Sequence, residues 1–469
     1  MKSRVTVLDV RRVNRAQILG LLFFNGPLTR TVLGQSTGLS VASIASVLGD
    51  LMDERLIVEA GTDESEGGRP RVRVAVNPGF GTVIGVDIAQ RKTSVGAFDL
   101  SMSEIGRTDL ALHPAECSPE AVISSVAEAI GEVMAQLPPG TPPVFGVGVG
   151  VPGPVFHGEE TLVYARNVAW DGVPVTRRLR DAVGLPVFVE NRVRTFGQAE
   201  MWFGAGRGTS NTTIVLLNTG TSAAIFVDGS LYQGATWTAG EWGHTTLVAD
   251  GRPCSCGGRG CISAYLGGGA LIEQWAASNN EIHLPPHYDG EEWLDRFLAA
   301  VPEDPAALLL LEQTARYLGL ALANIVNFLN PERIVIGGWV GHKLGPDVLA
   351  QARHAMEAQV FRFSAESTPV EFGQLGPDAS ALGASTLVVA ELLANGGRAV
   401  TYSEPQSPFL AWQPHSRQLN FGQRRSARRN SELTRTPAVP WLYPPSPGGL
   451  PIHRFTKQGR KAPSSGPSQ

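Results

Sequence analysis

Cys254-Ser-Cys-Gly-Gly-Arg-Gly-Cys261 begins ten residues after the histidine of Gly240-Glu-Trp-Gly-His244, and together the two stretches hold a complete four-ligand metal set: His244, Cys254, Cys256 and Cys261. Three thiolates and one imidazole suit tetrahedral Zn²⁺. A closed shell of four protein ligands leaves no open position for an activated water, so the pattern predicts a structural zinc. Gly257, Gly258 and Gly260 lie between the ligands and let the backbone turn tightly around an ion. The alternatives are a disulfide or a group of buried thiols, but no secretory signal opens the chain to bring it into an oxidising compartment. The fourth cysteine, Cys117, stands alone before Ser118-Pro119 and reads as an ordinary buried thiol.

Outward from this run, 469 residues of which 43% are hydrophobic predict at least two folded domains. No apolar run reaches the roughly eighteen residues that cross a bilayer. The expectation is a soluble, cytoplasmic protein with no membrane partner. The net charge of −4 divides into +2 for residues 1–76, −15 for 77–396 and +9 for 397–469, so only the ends favour nucleic acid. The segment 397–469 is rich in Pro, Ser and Arg and is expected to be disordered. A basic tail adds unspecific phosphate contacts, and a merely solvated extension is the alternative.

Near the N-terminus, Asn14-Arg-Ala-Gln17 has the form of a capping box before Ile18, Leu19, Leu22 and Phe23, and that helix is expected to stop at Asn25-Gly26-Pro27. Thr29 caps a second helix ending at Gly38. Ser40 caps a third with Ile44, Val47, Leu48 and Leu51 on one face. A hairpin follows from Leu56–Ala60 and Arg71–Asn77, where Val72, Val74 and Val76 are expected to share a face. This is the order of a winged helix-turn-helix, predicted over residues 1–78. In it the third helix would face DNA with Ser40, Ala42, Ser43, Ser46 and Asp50, and the wing with Arg69, Arg71 and Arg73. Asp63, Glu64 and Glu66 at the wing tip oppose phosphate. The rival reading is a small helical domain that serves dimerisation only.

From Thr82 the pattern becomes mixed α/β: strands TVIGVDI, TSVGAF and VFGVGVG, PVFVE ending at Glu190, TTIVLLN, a glycine-containing turn at Thr219–Ser222, and RIVIGG at Arg333–Gly338. Two similar lobes are implied. The specific pieces are Gly85–Ala89 (GVDIA), Gly148–Val155 (GVGVPGPV), Asn167–Trp170 (NVAW), Val189–Arg192 (VENR), GEWGH, the cysteine run and Val335–Gly338 (VIGG). With these the chain resembles the ROK family (repressors, open reading frames and sugar kinases) in its form with an N-terminal winged helix, over about residues 10–395. The resemblance implies a two-lobed, actin-like (ribonuclease H-like) α/β domain over residues 79–396, a homodimer or tetramer, and sugar held between the lobes. Its implied sugar contacts are Asn191, Glu241, His244 and Asn167, with Trp170 against a sugar face or filling the lobe.

Three departures bear on activity. Family kinases carry Asn-Asp after the glutamate that corresponds to Glu190, the aspartate being the general base, and here the pair is Asn191-Arg192. Arginine stays protonated and cannot accept that proton. The first phosphate turn reads Asp87-Ile-Ala-Gln-Arg-Lys92, bulkier than a backbone cradle for phosphate allows. Ser263 stands where the family places a sugar-binding glutamate. The expected function is a DNA-binding transcriptional regulator of carbohydrate metabolism, a repressor inactive as a kinase, binding a palindromic operator and answering to a sugar. The alternatives are an ATP-dependent sugar kinase with a DNA-binding arm, and a regulator that has lost its small-molecule input.

Overall fold

The computed structural model describes residues 7–63, 70–89, 92–112, 118–165, 170–279, 281–285, 288–362, 368–376 and 379–398, all within a unit that runs to Leu419. Cys117 and all of the expected tail beyond Arg398 lie outside the described residues.

Helix α1 (Val7–Asn25) begins two turns before Asn14, so the expected capping box does not form. The extra turns are held by their arginines: Arg11 pairs with Asp50, and Arg15, only 4% exposed, pairs with Glu54. Strand β1 (Leu28–Thr29) leads into α2 (Arg30–Thr37), where the Thr29 hydroxyl accepts from the Val32 N–H and Gly38 closes the last turn. Ser40 caps α3 (Val41–Asp53), accepting the Ser43 N–H at 3.1 Å, and Ile44, Val47, Leu48 and Leu51 turn inward. Helices α2 and α3 meet at 117°. Strands β2 (Ile57–Asp63) and β3 (Arg71–Val76) form the hairpin, and β1 adds to the free edge of β3, giving the order β1-β3-β2. The shared face expected of Val72, Val74 and Val76 holds only in part. Val74 is buried and Val72 is 39% exposed, because a bulge opposite them, between Glu59 and Thr62, rotates the strand.

The first lobe contains β4 (Thr82–Ile88), β5 (Lys92–Asp99), β6 (Glu104–Ala111), α4 (Pro119–Gln136), β7 (Val144–Val151), β8 (Val155–Phe156), β9 (Leu162–Ala165), β10 (Trp170–Val173), α5 (Val175–Val183), β11 (Val187–Asn191) and α6 (Arg192–Phe203). The second contains β12 (Thr212–Leu217), β13 (Thr221–Val227), β14 (Ser230–Leu231), α7 (Ser263–Leu266), α8 (Gly268–Ser278), α9 (Gly290–Ala300), α10 (Pro305–Leu329), β15 (Arg333–Gly337), α11 (Trp339–Glu357) and β16 (Val370–Phe372); α12 (Ala379–Ala394) returns to the first sheet. The two main sheets run β11-β7-β4-β5-β6 and β14-β13-β12-β15-β16. In each, three strands form an antiparallel meander and two more join parallel on the other side. The repeat implied by the sequence is therefore a repeat of topology. Small strands β8, β9 and β10 form a separate sheet beside the first lobe's core, and Trp170 is buried in that core.

Helices α6 and α12 position the site. They pack so closely that a Cβ on Gly383 would fall 1.7 Å from the Thr195 carbonyl oxygen, a position only glycine can hold. The far end of α6 carries Trp202, whose ring meets Phe24 of α1 edge-on at 4.8 Å and Phe23 at 5.7 Å. The far end of α12 is grasped by the same helix: Arg12 donates to the Ala394 carbonyl at 3.1 Å and Arg15 to that of Gly396 at 2.7 Å. The N-terminal elements thus share one apolar cluster with Trp202, Leu387, Val388 and Leu392. One helix among the described residues, α10, has the length and mean hydropathy of a membrane span, but Glu312 and Arg316 interrupt its apolar run, and Leu318, Leu322, Ile325 and Val326 are buried in the second lobe's core.

Candidate metal centre and effector site

The metal loop has little regular structure of its own. A single 3₁₀ turn at Trp242–His244 and two isolated bridges, Thr246 with Cys261 and Pro253 with Arg259, carry it from the second sheet to α7. Gly260 has φ +74°, and a Cβ there would lie 1.7 Å from the Val248 carbonyl oxygen, so the turn before Cys261 requires glycine. The result brings one ligand atom each from His244, Cys254, Cys256 and Cys261 within 4.8 Å of one another. A tetrahedron with Zn–S of about 2.3 Å and Zn–N of about 2.0 Å has edges of roughly 3.5–3.8 Å. His244 Nδ1 lies 3.6 Å from Cys254 Sγ, and Cys256 Sγ 3.7 Å from Cys261 Sγ. The donor set could hold a metal ion in that geometry. Burial and the neighbouring thiols push Cys261 up to about 12, a crowding that a bound cation would relieve. The other ring nitrogen of His244 points the opposite way, 4.0 Å from Glu241 Oε2.

Beside Glu241 lies a small pocket whose walls include Pro154, Asn191, Arg194, Trp237, Gly240 and Glu241. Burial pushes the Glu241 carboxyl up, against the pull of His244 and Arg194. Asn191 is the N-cap of α6: its Oδ1 accepts the Val193 N–H at 2.8 Å and its Nδ2 donates to the Gly153 carbonyl at 2.6 Å. Behind it Glu190, fully buried, is 3.2 Å from Arg194 Nη1 and 3.4 Å from His157 Nε2. Burial alone would raise the Glu190 carboxyl, yet Arg194, His157 and the Asn191 N–H outweigh it and hold it below the usual range.

At the base position of the expected kinase site, Arg192 makes a bidentate pair with Asp87, Nε to Oδ1 at 3.0 Å and Nη2 to Oδ2 at 2.7 Å. Such a fork fixes both partners. The second phosphate turn is also engaged. Ser263 Oγ accepts the Thr221 N–H at 3.2 Å and lies 2.8 Å from Thr221 Oγ1. Ser263 therefore ties the metal loop to that turn and is not among the walls of the pocket beside Glu241.

Comparison with known proteins accounts for this arrangement. The family described as ROK family matches residues 83–391, well over half of the chain. This chain belongs to the ROK family. It is 27% identical over 384 residues to the xylose repressor of Bacillus subtilis (strain 168), covering 82% of this chain and 97% of that protein. It is 32% identical over 274 residues to the glucokinase of Halalkalibacterium halodurans, covering 57% of this chain and 83% of that one. A crystal structure of a ROK family transcriptional regulator, homologue of the E. coli MLC protein, aligns with TM-score 0.69 at 24% identity over 83% of this chain and 98% of its own.

Of the ROK sugar contacts expected from sequence, Asn191, Glu241 and His244 converge on one region, while Asn167 lies outside the described residues. On the N-terminal side Ser40, Ala42, Ser46 and Arg71 are exposed. Ser43 bonds to Ser40, Asp50 is taken by Arg11, and Arg73 is 3.2 Å from Asp63. Arg69 lies outside the described residues. Sequence reasoning missed His157, Arg194 and Trp237. Only Arg194 carried a signal, its i,i+4 spacing from Glu190.

Proposed function

We propose that this chain is a sugar-responsive transcriptional repressor without kinase activity. The observation that carries the reading is the Arg192–Asp87 fork, which occupies the groups a kinase would need for proton removal and phosphate approach. The xylose repressor's near full-length match supports the regulatory half of it. Residues 1–78 act as a winged helix-turn-helix, with Ser40, Ala42, Ser43, Ser46 and Arg71 toward DNA. Residues 79–396 act as the sensor, with Asn191, Glu241 and His244 at the sugar, and 397–469 form a basic tail. His244, Cys254, Cys256 and Cys261 hold a structural zinc. The protein acts in the cytoplasm as a homodimer or tetramer on a palindromic operator.

Helix α6 supports a route between the two halves. Its first turn carries Arg194 and is capped by Asn191 at the pocket, and its last turn is set among the aromatic rings of α1. A sugar that binds one lobe arrangement more tightly than the other shifts operator affinity by that difference and no more. Footprinting of the DNA upstream of its own and adjacent genes is expected to reveal a protected palindrome whose protection weakens on adding sugar. An unprotected upstream region would refute the assignment.

The 32% identity to a glucokinase and the retained Glu241 favour a second reading, an active sugar kinase. ATP-dependent phosphorylation of hexoses and N-acetylhexosamines is expected to stay at background, and Arg192→Asp to leave it there, since the Thr221 N–H remains bound to Ser263. Clear turnover by the unaltered protein would establish the kinase instead.

A further inference from the structure

We propose that Trp237 is the aromatic wall of the effector pocket, against which the C–H face of a pyranose ring stacks, and that Arg194 is the positioning residue that holds it there. This deepens the sugar-sensing reading and rests on it.

Trp237 is the aromatic residue among the pocket's walls; the polar ones are Asn191, Arg194 and Glu241. Hydroxyl-binding groups and one flat apolar surface are what a sugar ring needs, polar at its rim and C–H on its face.

The backbone argues that this side chain has a purpose. Trp237 has φ +61°, the left-handed region in which a bulky residue is a true outlier and costs on the order of 1–3 kcal/mol. A loop needing only that bend would use glycine at no cost. Among the described residues the other non-glycine residues with positive φ are Arg55, Met102, Asp228, Asp250 and Asn330, and none of them lines this pocket. The surroundings over-determine the strained conformation. Arg194 Nη2 donates to the Trp237 carbonyl at 2.6 Å and to that of Ala239 at 3.2 Å, while Nη1 is anchored on Glu190. Arg194 is itself 3% exposed. The indole rests against the His157 ring, centroids 5.0 Å apart and planes inclined at 68°. His157 Nε2 faces Glu190 Oε2 at 3.4 Å, so its contact with the indole is one of ring packing.

The test uses the full-length, zinc-loaded protein with D-xylose, D-glucose and N-acetyl-D-glucosamine, read by calorimetry and by tryptophan emission. One of these sugars is expected to bind the unaltered protein and change its emission. Trp237→Phe keeps a ring and should bind that sugar within about threefold, whereas Trp237→Ala should weaken it about tenfold or more. The emission change should vanish in Trp237→Phe although the heat of binding persists, a result no general loss of structure would give. Arg194→Gln should increase acrylamide quenching of the fluorescence that Trp237→Phe removes. Unaltered affinity in Trp237→Ala, or an emission change that persists in Trp237→Phe, overturns the inference and leaves the sugar-sensing reading intact. No heat for any of the three sugars in the unaltered protein overturns both.

Discussion

Replacing Trp202 with leucine is expected to leave sugar affinity within about threefold of the unaltered protein while removing most of the sugar's effect on operator affinity. Coupling between two sites of a regulator is typically worth about 5- to 150-fold in affinity, and the variant should bring that ratio close to one. The reason is geometric. Trp202 closes the end of α6 opposite the pocket, 5% exposed and edge-on to Phe24 and Phe23. At Thr195 and Gly383 α6 is pressed against α12, so it has little freedom to bend there, and a displacement at its pocket end is expected to reach Trp202. Leucine keeps the site apolar but lacks the ring that fits between the two phenylalanines, so a displacement of α6 no longer has a fixed partner in α1. Operator affinity would be measured with and without sugar for the unaltered protein, Trp202→Leu, Phe24→Leu and the double variant. Non-additive losses in the sugar response are expected, because the two residues act as one contact. An unchanged response in both single variants would move the coupling to the α12 end, where Arg12 and Arg15 hold the Ala394 and Gly396 carbonyls.

Much of this was legible from short-range signals. Thr29 and Ser40 cap their helices through hydroxyl contacts three residues away, so sequence spacing suffices to find them. The metal set lies within eighteen residues of chain, and its tight turns are written in its glycines. That Arg192 cannot accept a proton is a matter of residue type alone. What sequence did not disclose is long-range. The partner of Arg192 is 105 residues away, and Trp202 meets Phe24 across the boundary between the N-terminal elements and the first lobe. The resemblance implies Asn191 as a sugar contact, but its second task, accepting the Val193 N–H as the cap of α6 while donating to the Gly153 carbonyl, involves a carbonyl 38 residues away. The strain at Trp237 is a property of backbone angles that no composition reveals. Asn14-Arg-Ala-Gln17 misled because α1 starts upstream of it, where Arg11 pairs with Asp50 thirty-nine positions on.

Stripping the metal, or Cys256→Ser, is expected to weaken sugar binding by at least about 100-fold, well before the two lobes unfold. Structural Zn²⁺ contributes apparent binding energies of roughly 10–16 kcal/mol in small zinc-finger peptides, and that energy is folding energy for whatever the ligands enclose. Here they enclose the stretch from His244 to Cys261, which a 3₁₀ turn, two isolated bridges and a few turn hydrogen bonds order without any helix or strand of its own. Glu241 caps that 3₁₀ turn, and His244 presents one nitrogen to the cysteines and the other to Glu241. Losing the ion therefore frees Glu241 together with the imidazole that orients it. Cys256 is the informative ligand to change because it is half-buried and outside the core, whereas Cys261 is 3% exposed and Cys254 packs against the second lobe's core, so losing either would mix packing with coordination. The lobes themselves rest on apolar clusters that do not include Cys256. Metal content should fall from one zinc per chain to none, limited proteolysis should open a new cleavage site between Gly240 and Cys261, and the thermal transition of the body should persist. Restoring zinc to the stripped protein should recover both protection and sugar binding, while zinc added to Cys256→Ser should recover neither fully. Sugar and operator binding that survive metal removal unchanged would reduce the cluster to an incidental group of thiols and detach it from the effector site.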